Sequence, residues 1–390
     1  MSVIRRMTPM RRSAPSETGR QRGNRGGGPR RASRRVGLLA SSAVVAAGVV
    51  MAPTAPASGA PAVPNRAAHG VVPSRHQNGP IALAAVTVVD GAYGPFEIAT
   101  VRKHGTPYRF LTHLASDALN PDFTPDGKRI LFWSSPDNTG DAIFSVPVHG
   151  GAITQIQTGC GQPPSCGDTN PAVSPDGREL LTVREQGPFD ANGCLAFIGI
   201  FKFRIDGTHP RRISPTTSTC AGDLEPRWSP DGRRIVFQHP EDFGPSLWVM
   251  NSDGSHRRRL TPAGMDVGAP DWSPDGQRIV FQSPDETPDD QTPQQLYTIH
   301  PDGSHLVQIT HYPPVPGQVV KTNGARWSPD GRKLVFAHLD ATTTIGPDGL
   351  HHADLFVSNP DGSDVQQINA TLEKDNMPAW GPRPGPMDHR

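Results

Sequence analysis

Two histidines stand at matching places in this 390-residue chain. His239 and His338 lie two residues beyond Phe237 and Phe336, and an acid follows each, Glu241 and Asp340. An imidazole beside a carboxylate can ligate a divalent metal or pass a proton. Related strings put Ser134, Arg184 and Ser283 at the same place, with Glu185 and Asp285 close behind. The plainer account is a set of solvated loop residues on separate elements. The sequence holds no G-x-S-x-G, H-E-x-x-H, P-loop or EF-hand loop. We therefore expect no catalytic set and no cofactor, and keep His239, His338, Glu241 and Asp340 with a divalent cation as the alternative.

A second polar set precedes a run of aromatic residues. Asp122, Arg227, Asp271 and Arg326 stand directly before Phe123, Trp228, Trp272 and Trp327, and Ala172 and Ala379 hold the same position before Val173 and Trp380. Asn120, Asn170, Glu225 and Asn323 lie just upstream. Charges of alternating sign at one repeated position suit a water-filled channel, whose mouth could take a peptide terminus or a cation. Mutual salt bridging is the blander expectation for the charges themselves. The third set is the four cysteines, Cys160, Cys166, Cys194 and Cys220. Their spacing lacks a paired C-x2-C, which argues against zinc and for disulfides. Loop reach favours Cys160–Cys166 and Cys194–Cys220.

The elements that carry these residues are copies of one another. Trp228-Ser229-Pro230-Asp231-Gly232 recurs around Asp275 and Asp330, and more loosely around Asp126 and Asp176. Ser or Thr, Pro, Asp and Gly fill the four places of a type I turn, with Pro setting φ and Gly supplying the left-handed residue. An apolar run such as Ile235-Val236-Phe237 follows each, so every copy reads as a hairpin. A second hairpin with an Asp-Gly or Gly-Gly turn lies downstream of each copy. The turn aspartates are 50, 55, 44 and 55 residues apart, a period that encodes only strands and therefore propeller blades. Second hairpins number six, from residues 97–112 to 354–369. The first lacks an inner strand, and Asn376 to Pro382 repeats a blade opening and stops, so the two chain ends should pair and leave no free edge.

The string of Trp-Ser-Pro-Asp-Gly, an apolar run, Asp-Gly-Ser and a closing Leu-Thr resembles the TolB-type propeller repeat, which also occurs in prolyl oligopeptidase-like proteins. The resemblance spans roughly residues 81–382. It implies an all-β, six-bladed β-propeller of TolB-like repeats closed by its N- and C-terminal strands. No hydrolase domain follows Arg390, and residues 58–80 are too short for the α/β domain of a TolB. The pattern is loosely similar to propeller-fold oligogalacturonate lyases, which implies histidines and a metal on the loop face. Fold alone does not carry function.

Residues 1–57 hold eleven Arg, no Lys and one acid, Glu17, and include the apolar run Val36–Val50 and Ala55-Pro56-Ala57. This reads as an export signal, and Ser33-Arg34-Arg35 resembles the twin-arginine type. The apolar run is short for a membrane span. Residues 58–80 read as a flexible leader, 81–382 as the propeller and 383–390 as a tail. Without residues 1–57 the chain keeps 27 basic and 36 acidic residues, a net −9, which argues against nucleic acid as a partner. Long, dissimilar loops collect on one face of the blades, where binding usually sits. The resulting expectation is an exported, monomeric, extracellular or envelope module binding a protein or peptide at that face. The alternative is a metal-assisted hydrolase or polysaccharide lyase acting on an extracellular polymer.

Overall fold

The computed structural model describes residues 77–384 apart from 90–91, 103–104, 137–139, 161–165, 190–194, 216–221, 286–291, 318, 341–342, 344–352 and 369–374. The expected signal, most of the leader and the Cys194–Cys220 pair fall outside the described residues. Among the described residues there is no α-helix, and no helix long and apolar enough to cross a membrane.

The chain forms six four-stranded sheets. Blade 1 contains β1 (Asn78–Val89), β2 (Ala92–Arg102) and β3 (Gly105–Phe110). Blade 2 runs from β4 (Ala118–Phe123) through β5 (Arg129–Ser134) and β6 (Ala142–Pro147) to β7 (Thr154–Gln155). Blade 3 is β8 (Cys166–Val173), β9 (Glu179–Phe189), β10 (Leu195–Arg204) and β11 (Arg211–Arg212). Blade 4 is β12 (Leu224–Trp228), β13 (Arg234–His239), β14 (Ser246–Asn251) and β15 (Arg258–Arg259). Blade 5 is β16 (Gly268–Trp272), β17 (Ile279–Ser283), β18 (Gln295–Ile299) and β19 (Val307–Gln308). Blade 6 is β20 (Lys321–Trp327), β21 (Leu334–Leu339), β22 (Asp354–Ser358) and β23 (Gln366–Gln367). The last strand, β24 (Asp375–Pro382), returns to blade 1 as its innermost strand.

That return is the expected closure. β24 pairs antiparallel with β1, matching Ile81 to Trp380 and Ala82 to Ala379. Strand β1 begins three residues before the anticipated 81, and the Arg383 N–H donates to Gln77 O at 2.8 Å just beyond the strands. The inner strands touch in the order β24, β4, β8, β12, β16, β20 and back to β24, so the sheets make a ring. Pairing through the ends removes the two free sheet edges an open array would leave.

The turn chemistry matches the sequence pattern. In blade 4 the Gly232 N–H donates to Ser229 O at 2.8 Å, and Gly232 has φ 68°. Asp231 Oδ1 accepts from Ser229 Oγ at 2.5 Å and from the Arg233 N–H at 3.1 Å. The tryptophans after each inner strand fill wedges between blades: Trp272 packs on Val236, Leu247, Val249 and Leu260 of blade 4. Fully buried Phe237, Phe281 and Phe336 occupy the same wedges, each worth about 1.5–3 kcal/mol of apolar burial. Arginines add to these wedges, with the Arg234 guanidinium 4.9 Å from the Trp272 ring and that of Arg278 4.7 Å from Trp327.

Candidate functional site

An inner strand has one edge paired to its blade and the other facing the axis, so its axial N–H and C=O groups need partners from elsewhere. Each inner strand is also kinked. One residue per blade adopts a left-handed conformation: Asn120, Asn170, Glu225, Ala269 and Met377 with φ of 49–52°, and Gly324 with φ 65°. All six stand three residues before Phe123, Val173, Trp228, Trp272, Trp327 or Trp380, where the strand register shifts. Such a conformation costs a non-glycine residue about 1–3 kcal/mol, and a bulge of this kind re-aims the side chains beside it.

The re-aimed side chains tie neighbouring blades together. Asp122 of blade 2 accepts the Val173 N–H of blade 3 at 2.8 Å, and Asp271 of blade 5 accepts the Trp327 N–H of blade 6 at 2.9 Å. Glu225 of blade 4 accepts the Ala269 N–H of blade 5 at 2.5 Å. Arginines reach the opposite way: Arg227 donates to Pro171 O of blade 3 and Arg326 to Pro270 O of blade 5, both at 3.3 Å. Acids cap the next blade's N–H and arginines cap the previous blade's C=O. The expected mutual salt bridges are therefore absent among the described ring residues, because unpaired backbone at the axial edge engages both kinds of charge first.

These side chains nonetheless share one electrostatic environment. Burial holds the Asp122, Glu225 and Asp271 carboxyls above their usual range, with Asp285 adding to the effect at Glu225. Burial, then Arg227, lowers Arg326 to about 10, against the pull of Asp271, Asp122 and Glu225. They stand on the inner strands of blades 2, 4, 5 and 6, which surround one axis. Asp122, Glu225, Asp271 and Arg326 are partly open to solvent and Arg227 is buried, so the inner strands enclose a narrow polar shaft. At its mouth Asn120 Oδ1 accepts from Trp133 Nε1 at 3.3 Å, while Asn323 Oδ1 is buried without a partner. The structure thus brings Asn120, Asp122, Asn170, Glu225, Arg227, Asp271, Asn323 and Arg326 to the inner strands as a group.

The histidines lie elsewhere. His239 Nδ1 meets Asp223 Oδ1 at 2.7 Å, and Arg257 and Ser214 hold the same carboxylate, each at 2.7 Å. His338 is 2 % exposed; its Nδ1 meets Thr322 Oγ1 at 2.8 Å and its Nε2 meets Asp340 Oδ2 at 3.1 Å. Burial lowers the His338 pKa, and the Tyr312 ring stacks on it at 3.9 Å. Glu241 is engaged by Trp248 and Arg259. The equivalent residues do the same job. Ser134 bonds Ser116, Arg184 bonds Asp168, and Ser283 bonds the Met265 carbonyl, each tying the second strand to the first strand or its approach. His239 and His338 occupy this tethering post in blades 4 and 6, with blade 5 between them. Among the described residues no group of three or more His, Cys, Asp or Glu side chains is placed to hold a metal ion.

The bulges and tethers were not foreseen. Aligned copies carry a signal for both: Asn, Asn and Gly recur at the left-handed post, and Ser, Arg and His alternate at the tether, as a hydrogen-bonding role would allow. On the loop side, Cys160 and Cys166 form a disulfide with Cα atoms 5.4 Å apart. Phe243, in the loop between β13 and β14, is 83 % exposed.

Residues 211–385 match the family model of the TolB beta propeller domain, PD40. An uncharacterized protein of Agrobacterium fabrum is 28% identical over 146 residues, which cover 35% of this chain and 44% of that protein. The chain thus matches less than half the length of that relative. The crystal structure of TolB from Acinetobacter baumannii superposes with a TM-score of 0.60 at 19% identity, covering 78% of this chain and 67% of that one. A putative TolB from Agrobacterium tumefaciens gives 0.50 at 20% identity, covering 78% of this chain and 99% of that one. Residues 211–385 thus carry the TolB-type propeller repeat, and the chain as a whole shares the six-bladed fold of the TolB structures.

Proposed function

We propose that this chain is an exported docking module that receives a protein or peptide at the long-loop mouth of its shaft. One observation carries the reading: polar and charged groups from five blades converge at the axis with backbone partners but no mutual ion pairs. A wall of fixed donors and acceptors that do not neutralise one another is suited to an extended chain, which brings its own N–H and C=O groups. Phe243 on the same face supplies an exposed aromatic of the kind that anchors interfaces. The Cys160–Cys166 bond and the arginine-rich, apolar leader sequence support an oxidising compartment outside the cytoplasm. The shared fold with TolB proteins is consistent with an envelope role.

Affinity capture tests the reading, with the full chain as bait against envelope and culture fluid and a Phe243→Asp variant alongside. The expected result is a stoichiometric partner retained by the native chain and released by the variant, with melting unchanged because the ring is exposed. A capture that stays empty, together with metal-dependent cleavage of a polymer, would replace docking with the enzymatic alternative.

A further inference from the structure

The ring formed by the residues one place before the inner-strand aromatics is not uniform. Blades follow one another in chain order, so positions three blades apart face each other across the axis. Arg227 of blade 4 faces Ala379 of blade 1, Arg326 of blade 6 faces Ala172 of blade 3, and Asp122 faces Asp271. Both alanines are packed in the apolar wedges between blades, so neither supplies an acid to the arginine across the ring.

Both arginines are under-used as donors. Arg227 donates only through Nη1, to Pro171 O and Pro226 O, and Arg326 only through Nη1, to Pro270 O and Ala325 O. The Nε and Nη2 groups of each make no hydrogen bond to the described protein, although Arg227 is 7 % exposed. A guanidinium presents five N–H donors in a planar fork that matches a carboxylate, and the two forks are only partly used by the protein. The three nearby acids do not close it, since Asp122, Asp271 and Glu225 each give one oxygen to the next blade's N–H and none lies within ion-pairing distance. Asp122 keeps its second oxygen, Oδ1, without a protein partner. A fitting ligand therefore carries a carboxylate for the arginines and an N–H donor beside it for the aspartate. A free peptide C-terminus has that pair of groups on either side of a single α-carbon.

We infer that the shaft receives the free C-terminus of a peptide, with its α-carboxylate held by Arg227 and Arg326 and its last amide N–H donating to Asp122. The inference rests on the docking reading above and adds which end of the partner enters. An acidic side chain shares the carboxylate chemistry, so the test separates the two sources.

The full chain is titrated with three N-acetylated probe peptides of otherwise equal sequence: one with a free C-terminus, one C-terminally amidated, and one amidated with an internal Asp. The Arg227 and Arg326 Nε–Hε signals are followed by NMR. Saturable shifts of both signals are expected with the free-acid peptide alone, and Arg326→Gln should weaken its binding at least tenfold. Equal behaviour of the free-acid and amidated peptides, or silence of both signals, would overturn the inference. Shifts caused equally by the internal-Asp amide would overturn the C-terminal assignment. The peptide comparison is made on the native chain, so it stands even where the variant folds poorly. A partner captured through the loop face whose C-terminal amidation changes nothing would leave docking intact and remove only the C-terminal claim.

Discussion

Acids in the turns and acids on the inner strands behave in opposite ways. On the turn side Asp176, Asp231 and Asp330, with Asp206, Asp253, Asp302 and Asp361 of the second hairpins, are held below the usual carboxylate range. At Asp176 the Ser174 hydroxyl and the Arg178 N–H favour the charged form. At Asp231 burial opposes ionisation, but Ser229 and the Arg233 N–H together outweigh it. In the shaft, burial wins: Asp122, Asp271 and Glu225 are raised although each accepts a backbone N–H. The lesson is that one hydrogen bond at the axis does not replace the water lost there, whereas several short-range donors in an open turn do. The turns are built to favour the anion. The shaft keeps a cost that only a ligand or a proton removes.

The largest expected effects lie away from both sets of acids, in the tether inside blade 3 and the wedge between blades 4 and 5. Arg184→Ala should lower unfolding stability by about 3–5 kcal/mol in urea melts, since it strands Asp168, which is fully buried. A loss below about 1 kcal/mol would show that the tether is not an essential ion pair. Trp272→Ala should cost a similar amount, about 3–5 kcal/mol, by opening the wedge between blades 4 and 5. An unchanged melting curve would refute that packing role.

Smaller effects separate turn from shaft by their sign with pH. Asp231 has a lowered folded-state pKa, so its contribution is present above the unfolded value and lost as pH falls through the folded one. Asp231→Asn should therefore destabilise at neutral pH, by about 1 kcal/mol for the weakened hydrogen bonds, and have little effect in acid. Glu225 runs the other way. Its raised pKa means the charged form is penalised in the fold, a penalty that grows as pH rises through the folded value. Glu225→Gln keeps an oxygen for the Ala269 N–H, so it should raise the melting temperature at neutral pH and lose that gain below the ordinary glutamate range. A variant that gains nothing at neutral pH would mean that shaft water screens Glu225 fully.

Much of this was legible in the chain. The hairpin turns, the count of six blades and the closing of residue 81 onto residue 380 follow from strings that repeat in register, because turn chemistry and strand periodicity are local. Site residues were legible only as positions. Asp122, Arg227, Asp271 and Arg326 could be assigned to the inner strands from their place before an aromatic, and they stand on β4, β12, β16 and β20. Whether they neutralise one another could not be read, since that depends on which axial backbone groups lie within reach. His239 and His338 show the same limit. Their spacing from Phe237 and Phe336 suits a metal pair, yet the partners that occupy them, Asp223 and Thr322, come from loops and strands that only folding brings close.

What the residues determined by themselves is the blade, a unit of two hairpins whose turns, caps and apolar runs are complete within some 50 residues. What tertiary structure decided is everything at the axis. Closing six copies into a ring turns an unremarkable strand edge into a shared wall, and the left-handed kinks then aim each blade's charge at its neighbour. The physical reason is that a buried charge answers to the nearest unpaired polar group, and at the axis each of these charges finds one on another blade.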